Sequence, residues 1–283
     1  MTALTYSLAY SPCPNDTYVF AALTNGLLDG APQVDVVLDD VEALNRAARD
    51  GRYELTKVSY GAIPYLLDRY RILRAGGALG RGCGPLVVAQ PGVDGKAPLL
   101  TDFGDDAVFA IPGRFTTAYA LLRLALGREP RTVEMRFDRI VGAVQAGEVA
   151  GGLIIHESRF TYQKAGLVAA IDLGDWWEAT TGNPIPLGAI LVRRDVSDAD
   201  ARALDADIRR SLRFAREHEG DIIDYVRAHA FEMDDDVMRA HIALYVNEFT
   251  DDVGDAGAAA VEDLFARAAQ AQLIPADVRP EFV

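Results

Sequence analysis

Lysine is nearly missing from this chain. Lys57, Lys96 and Lys164 are the only three in 283 residues, against 25 arginines. Cysteine is scarcer still, and Cys13 and Cys83 are too few and too far apart for a disulfide framework or a zinc site. No apolar run approaches the roughly 20 residues that span a bilayer, Val149–Ile155 being among the longest, so membrane insertion is not expected. An excess of positive charge is also absent. The formal net charge of −14 argues against nonspecific nucleic-acid binding. No Gly-x-Ser-x-Gly elbow is present, and no pair of histidines has metal-ligand spacing, so no metal is expected. The first residues, Met1–Asp16, have neither a basic start nor a long apolar stretch, which reads as a cytoplasmic protein without a secretory or transit signal.

Half of the residues are apolar and a quarter charged, enough to build a sizeable core and to exclude intrinsic disorder. The acidity is uneven. From Val196 onward there are 9 Arg, no Lys and 20 acidic residues, a net of −11, which leaves only −3 for the first 195 residues. A small anionic ligand is therefore compatible with that first part. Short apolar runs alternate there with helical patterns, as in α/β proteins. Strands are expected at Tyr6–Tyr10, Val34–Leu38, Glu54–Ser59, Ile72–Ala75, Pro85–Gln90, Ala107–Ile111, Val133–Phe137, Ala150–Ile155, Val168–Leu173 and Leu187–Val192. Helices are expected between them, including Asp16–Thr24, Tyr60–Asp68 and Thr116–Leu126, and only helical patterns follow over Asp198–Gln272.

Several segments carry candidate chemistry. Ser11-Pro12-Cys13-Pro14-Asn15-Asp16-Thr17 lies between the first strand and the first helix, where backbone N–H groups face the crevice at the strand ends. Asn15 is a candidate contact there, or Asn15 or Asp16 simply caps the helix. Cys13 has no base or positive field in sequence to make it a nucleophile. Lys57 and Ser59 share one face of a strand, and such a lysine either reaches a crevice or snorkels to water. Thr116 and Thr117 open a helix, suited to a carboxylate or to plain capping. The glycine-dense Gly76–Gly84 stretch lacks the Gly-Lys-Ser/Thr of a nucleotide loop. Of four histidines, His156 follows a strand at its C-terminal end, while His218, His229 and His241 in the acidic tail read as surface or capping residues.

Together these segments resemble a known family. The N-terminal motif, Leu55-Thr56-Lys57-Val58-Ser59, Gly77–Pro85, Pro112-Gly113-Arg114-Phe115-Thr116-Thr117-Ala118 and Ile154-Ile155-His156-Glu157-Ser158-Arg159 are similar to the 1,4-dihydroxy-6-naphthoate synthases of the futalosine route to menaquinone. The resemblance continues through Asp172–Glu178 and Pro184–Ile190; Tyr18 and Phe115 depart at motif-flanking positions, and no role is assigned to either. It implies a two-lobed fold like the type II periplasmic binding proteins, with a central cleft. The lobes would be residues 1–90 plus 193–283, and 91–192. It also implies a cofactor-independent lyase acting on cyclic dehypoxanthinylfutalosine, with His156 as proton acceptor. Lys57, Val58, Ser59, Thr117 and Ala118 fall on the family's substrate contacts. An imidazole of ordinary basicity would place the acid limb of activity near its unperturbed value of about 6.5. The alternatives are a chorismate dehydratase-type sister enzyme and a solute-binding protein.

Overall fold

The computed structural model describes residues 5–230 and 234–283; residues 231–233 of the expected helical tail lie outside it. The chain begins β1 (Thr5–Tyr10), α1 (Pro14–Thr24), β2 (Gln33–Leu38), α2 (Val41–Arg49), β3 (Leu55–Ser59), β4 (Tyr70–Ile72) and β5 (Ala78–Gly80). It continues β6 (Leu86–Ala89), β7 (Val108–Ile111), α3 (Thr117–Leu126), β8 (Arg131–Glu134), α4 (Phe137–Gln145), β9 (Gly151–Ile154), α5 (Ser158–Thr161), β10 (Val168–Asp172), α6 (Leu173–Thr181) and β11 (Ile185–Arg193). Helices α7 (Asp198–Glu217), α8 (Glu219–His229), α9 (Asp235–Tyr245), α10 (Glu248–Asp251) and α11 (Gly254–Gln270) complete it.

Two sheets result. The first runs β2-β1-β3-β11-β4, with β5 also on β11; the second runs β10-β6-β9-β7-β8. Strands β1, β2 and β3 are mutually parallel, whereas β11 returns antiparallel to β3, β4 and β5. The expected lobe boundaries leave β6 with the first lobe and most of β11 with the second, whereas β6 pairs inside the second sheet and β11 inside the first. The chain therefore changes sheets before each of these strands rather than along them.

Local chemistry explains where the elements differ from expectation. The helix expected over Tyr60–Asp68 shrinks to a single tight turn, Ile63–Tyr65, because Pro64 has no N–H to continue it. β4 stops at Ile72 because the backbone beyond it finds other partners: Ala75 N–H donates to Asp205 and Gly76 N–H to Thr250 O. α1 starts at Pro14 with Cys13 at its cap, so neither Asn15 nor Asp16 caps it.

The helical tail packs largely on the first sheet. In α7 the buried Ala201, Leu204, Ile208, Leu212 and Ala215 recur at helical spacing and join a core with Leu8, Leu55, Val192 and α1, which is buried from Pro14 to Leu23. Ser211 Oγ donates to Val19 O (2.6 Å) and accepts from Leu23 N–H (3.2 Å), pinning α7 to α1. Across the sheets, Glu42 of α2 accepts from Phe115 N–H at 3.1 Å, and Arg46 pairs with Glu134 at 2.6 Å. Gly113 makes room for this contact, since a Cβ there would come within 2.3 Å of the Glu42 carboxyl carbon and displace that side chain.

At the first changeover, a Cβ on Gly84 would lie 2.2 Å from Gly174 N, with backbone rather than a movable side chain in the way. Gly84→Ala should therefore destabilise the fold by about 1–3 kcal/mol, the usual cost of overpacking. Urea denaturation checks this; an unchanged midpoint would show that the approach is not tight.

Candidate active site

A cavity of about 90 Å³ lies between the two sheets. Every residue singled out in the sequence reaches it: Asn15, Lys57, Val58, Ser59, Thr116, Thr117, Ala118 and His156 all line it. So do Ser11, Asp16, Cys83, His241 and Tyr245, none of which stood out in sequence as a binding residue.

Lys57 is not the free cation that its pattern suggests. Its Nζ donates to Asp16 Oδ1 at 2.6 Å and to Gly76 O at 3.2 Å, with the side chain only 7% exposed. Asp16 also accepts from Ser11 Oγ (2.8 Å) and from Asn15 Nδ2 (2.8 Å). The pair carries no net charge, so its pull on an anion is weaker than that of a lone lysine. Ser59, one pleat along β3, accepts from Asn45 Nδ2 at 3.2 Å and keeps its own hydroxyl hydrogen available. Val58 belongs to the buried core, and alternation turns its side chain away from Lys57 and Ser59.

The Thr116–Ala118 corner serves both readings of its sequence. Thr116 caps α3, accepting from Tyr119 N–H at 3.2 Å and donating to Gly113 O at 2.8 Å. Thr117 Oγ accepts from Gly61 N–H (3.0 Å) and donates to Leu187 O (2.7 Å), so its hydroxyl joins the two sheets. The backbone N–H groups of Thr117 and Ala118, in the first turn, have no partner inside the helix and carry its positive dipole end.

His156 follows β9 in the left-handed region, at φ 57°, an uncommon conformation for a side chain larger than glycine and one that clusters at functional sites. A Cβ on Gly152 would meet the Ile140 and Val144 side chains at 2.6 Å, so this glycine lets α4 sit against β9, while Gly151 leaves room for the Phe109 ring of β7. The imidazole packs edge-on to Phe137 (5.0 Å) and parallel to His241 (6.4 Å). Burial pushes its pKa down to about 4; the Asp16 carboxylate opposes this and Lys57 adds to it. The basicity is lower than the ordinary value expected from the sequence, because the crowded cavity wall disfavours the charged ring.

His241 is the clearest correction. It is fully buried, not a surface or capping residue, and its Nε2 lies 2.9 Å from Asn15 Oδ1. A signal was present: Met238, His241 and Tyr245 recur at helical spacing, one buried stripe on α9. His218 does flank helix ends, and His229 Nδ1 meets Tyr225 O at 2.8 Å. Cys13 and Cys83 are buried thiols, the latter pushed up to about 12 by burial, so neither supplies a ready thiolate. Among the described residues, no helix is long and apolar enough to cross a membrane.

The chain can be placed by its relatives. A family model described as menaquinone biosynthesis matches residues 6–270. A 1,4-dihydroxy-6-naphthoate synthase of Thermus thermophilus is 52% identical over 277 residues, 98% of each chain. The chain belongs to this family. A second member, from Streptomyces coelicolor, is 46% identical over 98% of this chain and 97% of its own. A solved structure from Archaeoglobus fulgidus superposes with a TM-score of 0.88 at 37% identity, covering 95% of this chain and 98% of that one. The periplasmic aliphatic sulphonate binding protein of Escherichia coli has the same fold, with a TM-score of 0.65 at 12% identity over 96% and 88% of the two chains. This naphthoate synthase family member thus has a binding-protein fold, with its cavity between the sheets.

Breaking the Lys57–Asp16 pair from one side should cost far more than a surface contact. Lys57→Met leaves a buried carboxylate uncompensated and should destabilise by about 3–5 kcal/mol, with Asp16→Asn added to it recovering much of the loss. Urea midpoints of the two proteins measure this; equal midpoints would mean that water reaches Asp16.

Proposed function

We propose that this chain converts cyclic dehypoxanthinylfutalosine to 1,4-dihydroxy-6-naphthoate in the cytoplasm, with His156 as general base. The observation that carries this is the convergence of His156, Ser59 and the α3 N-terminus on one cavity. The two sheets would be the cores of two lobes, with the changeovers placed before β6 and β11. His156 abstracts a proton from carbon beside a carbonyl. Ring opening then releases the sugar-derived fragment, and aromatisation of the bicyclic skeleton drives the step without redox chemistry.

Geometry supports a division of labour. The Ser59 hydroxyl and the N–H groups of Thr117 and Ala118 hold the substrate carboxylate, by directed donors and the helix dipole. Lys57 acts chiefly through Asp16, which lies near enough to His156 to affect its basicity. The low pKa has a clear sign. The base works only as neutral imidazole, and a ring with a folded-state pKa near 4 stays neutral at all pH values well above that. Its position between Phe137 and His241 limits ring rotation, so it meets the substrate in one orientation.

Purified protein incubated with cyclic dehypoxanthinylfutalosine should generate naphthoate fluorescence and leave chorismate untouched. Loss of chorismate instead would identify a dehydratase. His156→Asn should lower kcat by roughly 100-fold or more, with a smaller change in KM, because the carboxylate contacts survive. A folded variant within a few-fold of wild type would remove His156 from the mechanism. The acid limb of kcat/KM should lie well below 6.5, toward 4; a limb at 6.5 would mean that the free protein exposes the ring to water.

A further inference from the structure

The hydrogen bonds around His241 determine its tautomer. Asp16 is ion-paired with Lys57 and can only accept. The Asn15 amide atom 2.8 Å from it must therefore be the nitrogen, which turns the amide oxygen toward His241. That oxygen accepts in turn, so His241 Nε2 carries the ring hydrogen and Nδ1 is a bare lone pair. Nδ1 has no hydrogen-bond partner among the described residues, although the residue is fully buried. A buried acceptor without a donor is costly unless something else supplies one. His241 is part of the cavity wall, between Asn15, His156 and Tyr245, which all line the same cavity.

We propose that His241 Nδ1 accepts a hydrogen bond from a hydroxyl of the bound substrate, making His241 a second histidine of this site. Its orientation runs back through Asn15 and Asp16 to Lys57, so the buried ion pair fixes a substrate contact that it does not itself make. His156 removes a proton; His241 holds a hydroxyl of the sugar-derived part in a fixed place. This rests on the substrate proposed above, whose sugar-derived part supplies the hydroxyl.

Two substitutions separate this role from packing. A glutamine places its amide where Nε2 was, keeping a donor for Asn15 and removing the acceptor at Nδ1. An asparagine places its amide near Nδ1 and abandons Asn15. His241→Gln should lower kcat/KM by about tenfold or more, mainly through KM, and His241→Asn should retain more activity than His241→Gln. The reverse order, or two losses of only a few-fold, would show that His241 only packs. A wild type that forms no naphthoate overturns both this and the substrate proposal, whereas an active wild type matched by His241→Gln overturns His241 alone. Should either variant fail to fold, nitrogen-15 spectra of imidazole-labelled His156→Asn protein decide the question, since the substrate should outlast the measurement on that slow variant. His241 Nδ1 should be an unprotonated ring nitrogen whose resonance moves when cyclic dehypoxanthinylfutalosine is added. A protonated Nδ1, or an unmoved resonance at saturation, overturns the proposal.

Discussion

The ammonium of Lys57 and the carboxylate of Asp16 meet at 2.6 Å inside the protein, and neither charge is tolerable there without the other. Their elements are brought together by the order of the first sheet, in which β3 lies beside β1 and α1 begins just beyond the end of β1. Once formed, the pair has spare donors and acceptors that must also be filled. Gly76 O, Ser11 Oγ and the Asn15 amide fill them, and through Asn15 the order extends to α9 in the C-terminal tail. A single buried charge pair thus orders side chains from three separate stretches of chain around one cavity wall. The pair itself carries no net charge, so on the proposed function recognition of an anion would fall to directed donors on β3 and α3.

Burial acts on His156 in two opposed ways. It keeps the ring neutral at physiological pH, as the proposed general base requires, and it would weaken that base because an imidazolium formed there is poorly solvated. The nearby Asp16 carboxylate partly offsets the second effect by favouring the charged ring. The left-handed backbone at His156 costs something in stability, and the packing of α4 on Gly152 and of Phe137 on the ring holds it in place. Rigidity and basicity are therefore set by different neighbours.

Much of this was legible in the sequence, and the exceptions have physical causes. Alternation of apolar runs with helical patterns located most strands, because burial on one or both faces of a sheet is written directly into residue order. The three-residue β5 was hidden inside a glycine-dense stretch, where no side-chain period exists to be read. Lys57 was visible as an anomaly, but its partner was not, since Asp16 is 41 residues away and paired only through sheet order. His241 was obscured by the charged composition of the tail around it. Its own stripe with Met238 and Tyr245 was the better guide, because burial follows helix face rather than average polarity.

The cavity holds about 90 Å³, roughly the share of three liquid waters, whereas pockets for small organic ligands usually enclose about 300–1,000 Å³. The substrate proposed above is larger than such a space, and the contacts that close it are Thr117 to Gly61 and Leu187 and Glu42 to Phe115. On that proposal, admission would require those contacts to separate first. The affinity seen from outside is the intrinsic affinity scaled by the fraction of molecules already parted. Changes at Gly113 or Glu42, which touch no substrate, would then alter apparent binding by shifting that fraction, and the strength of the closed state becomes a dial on occupancy.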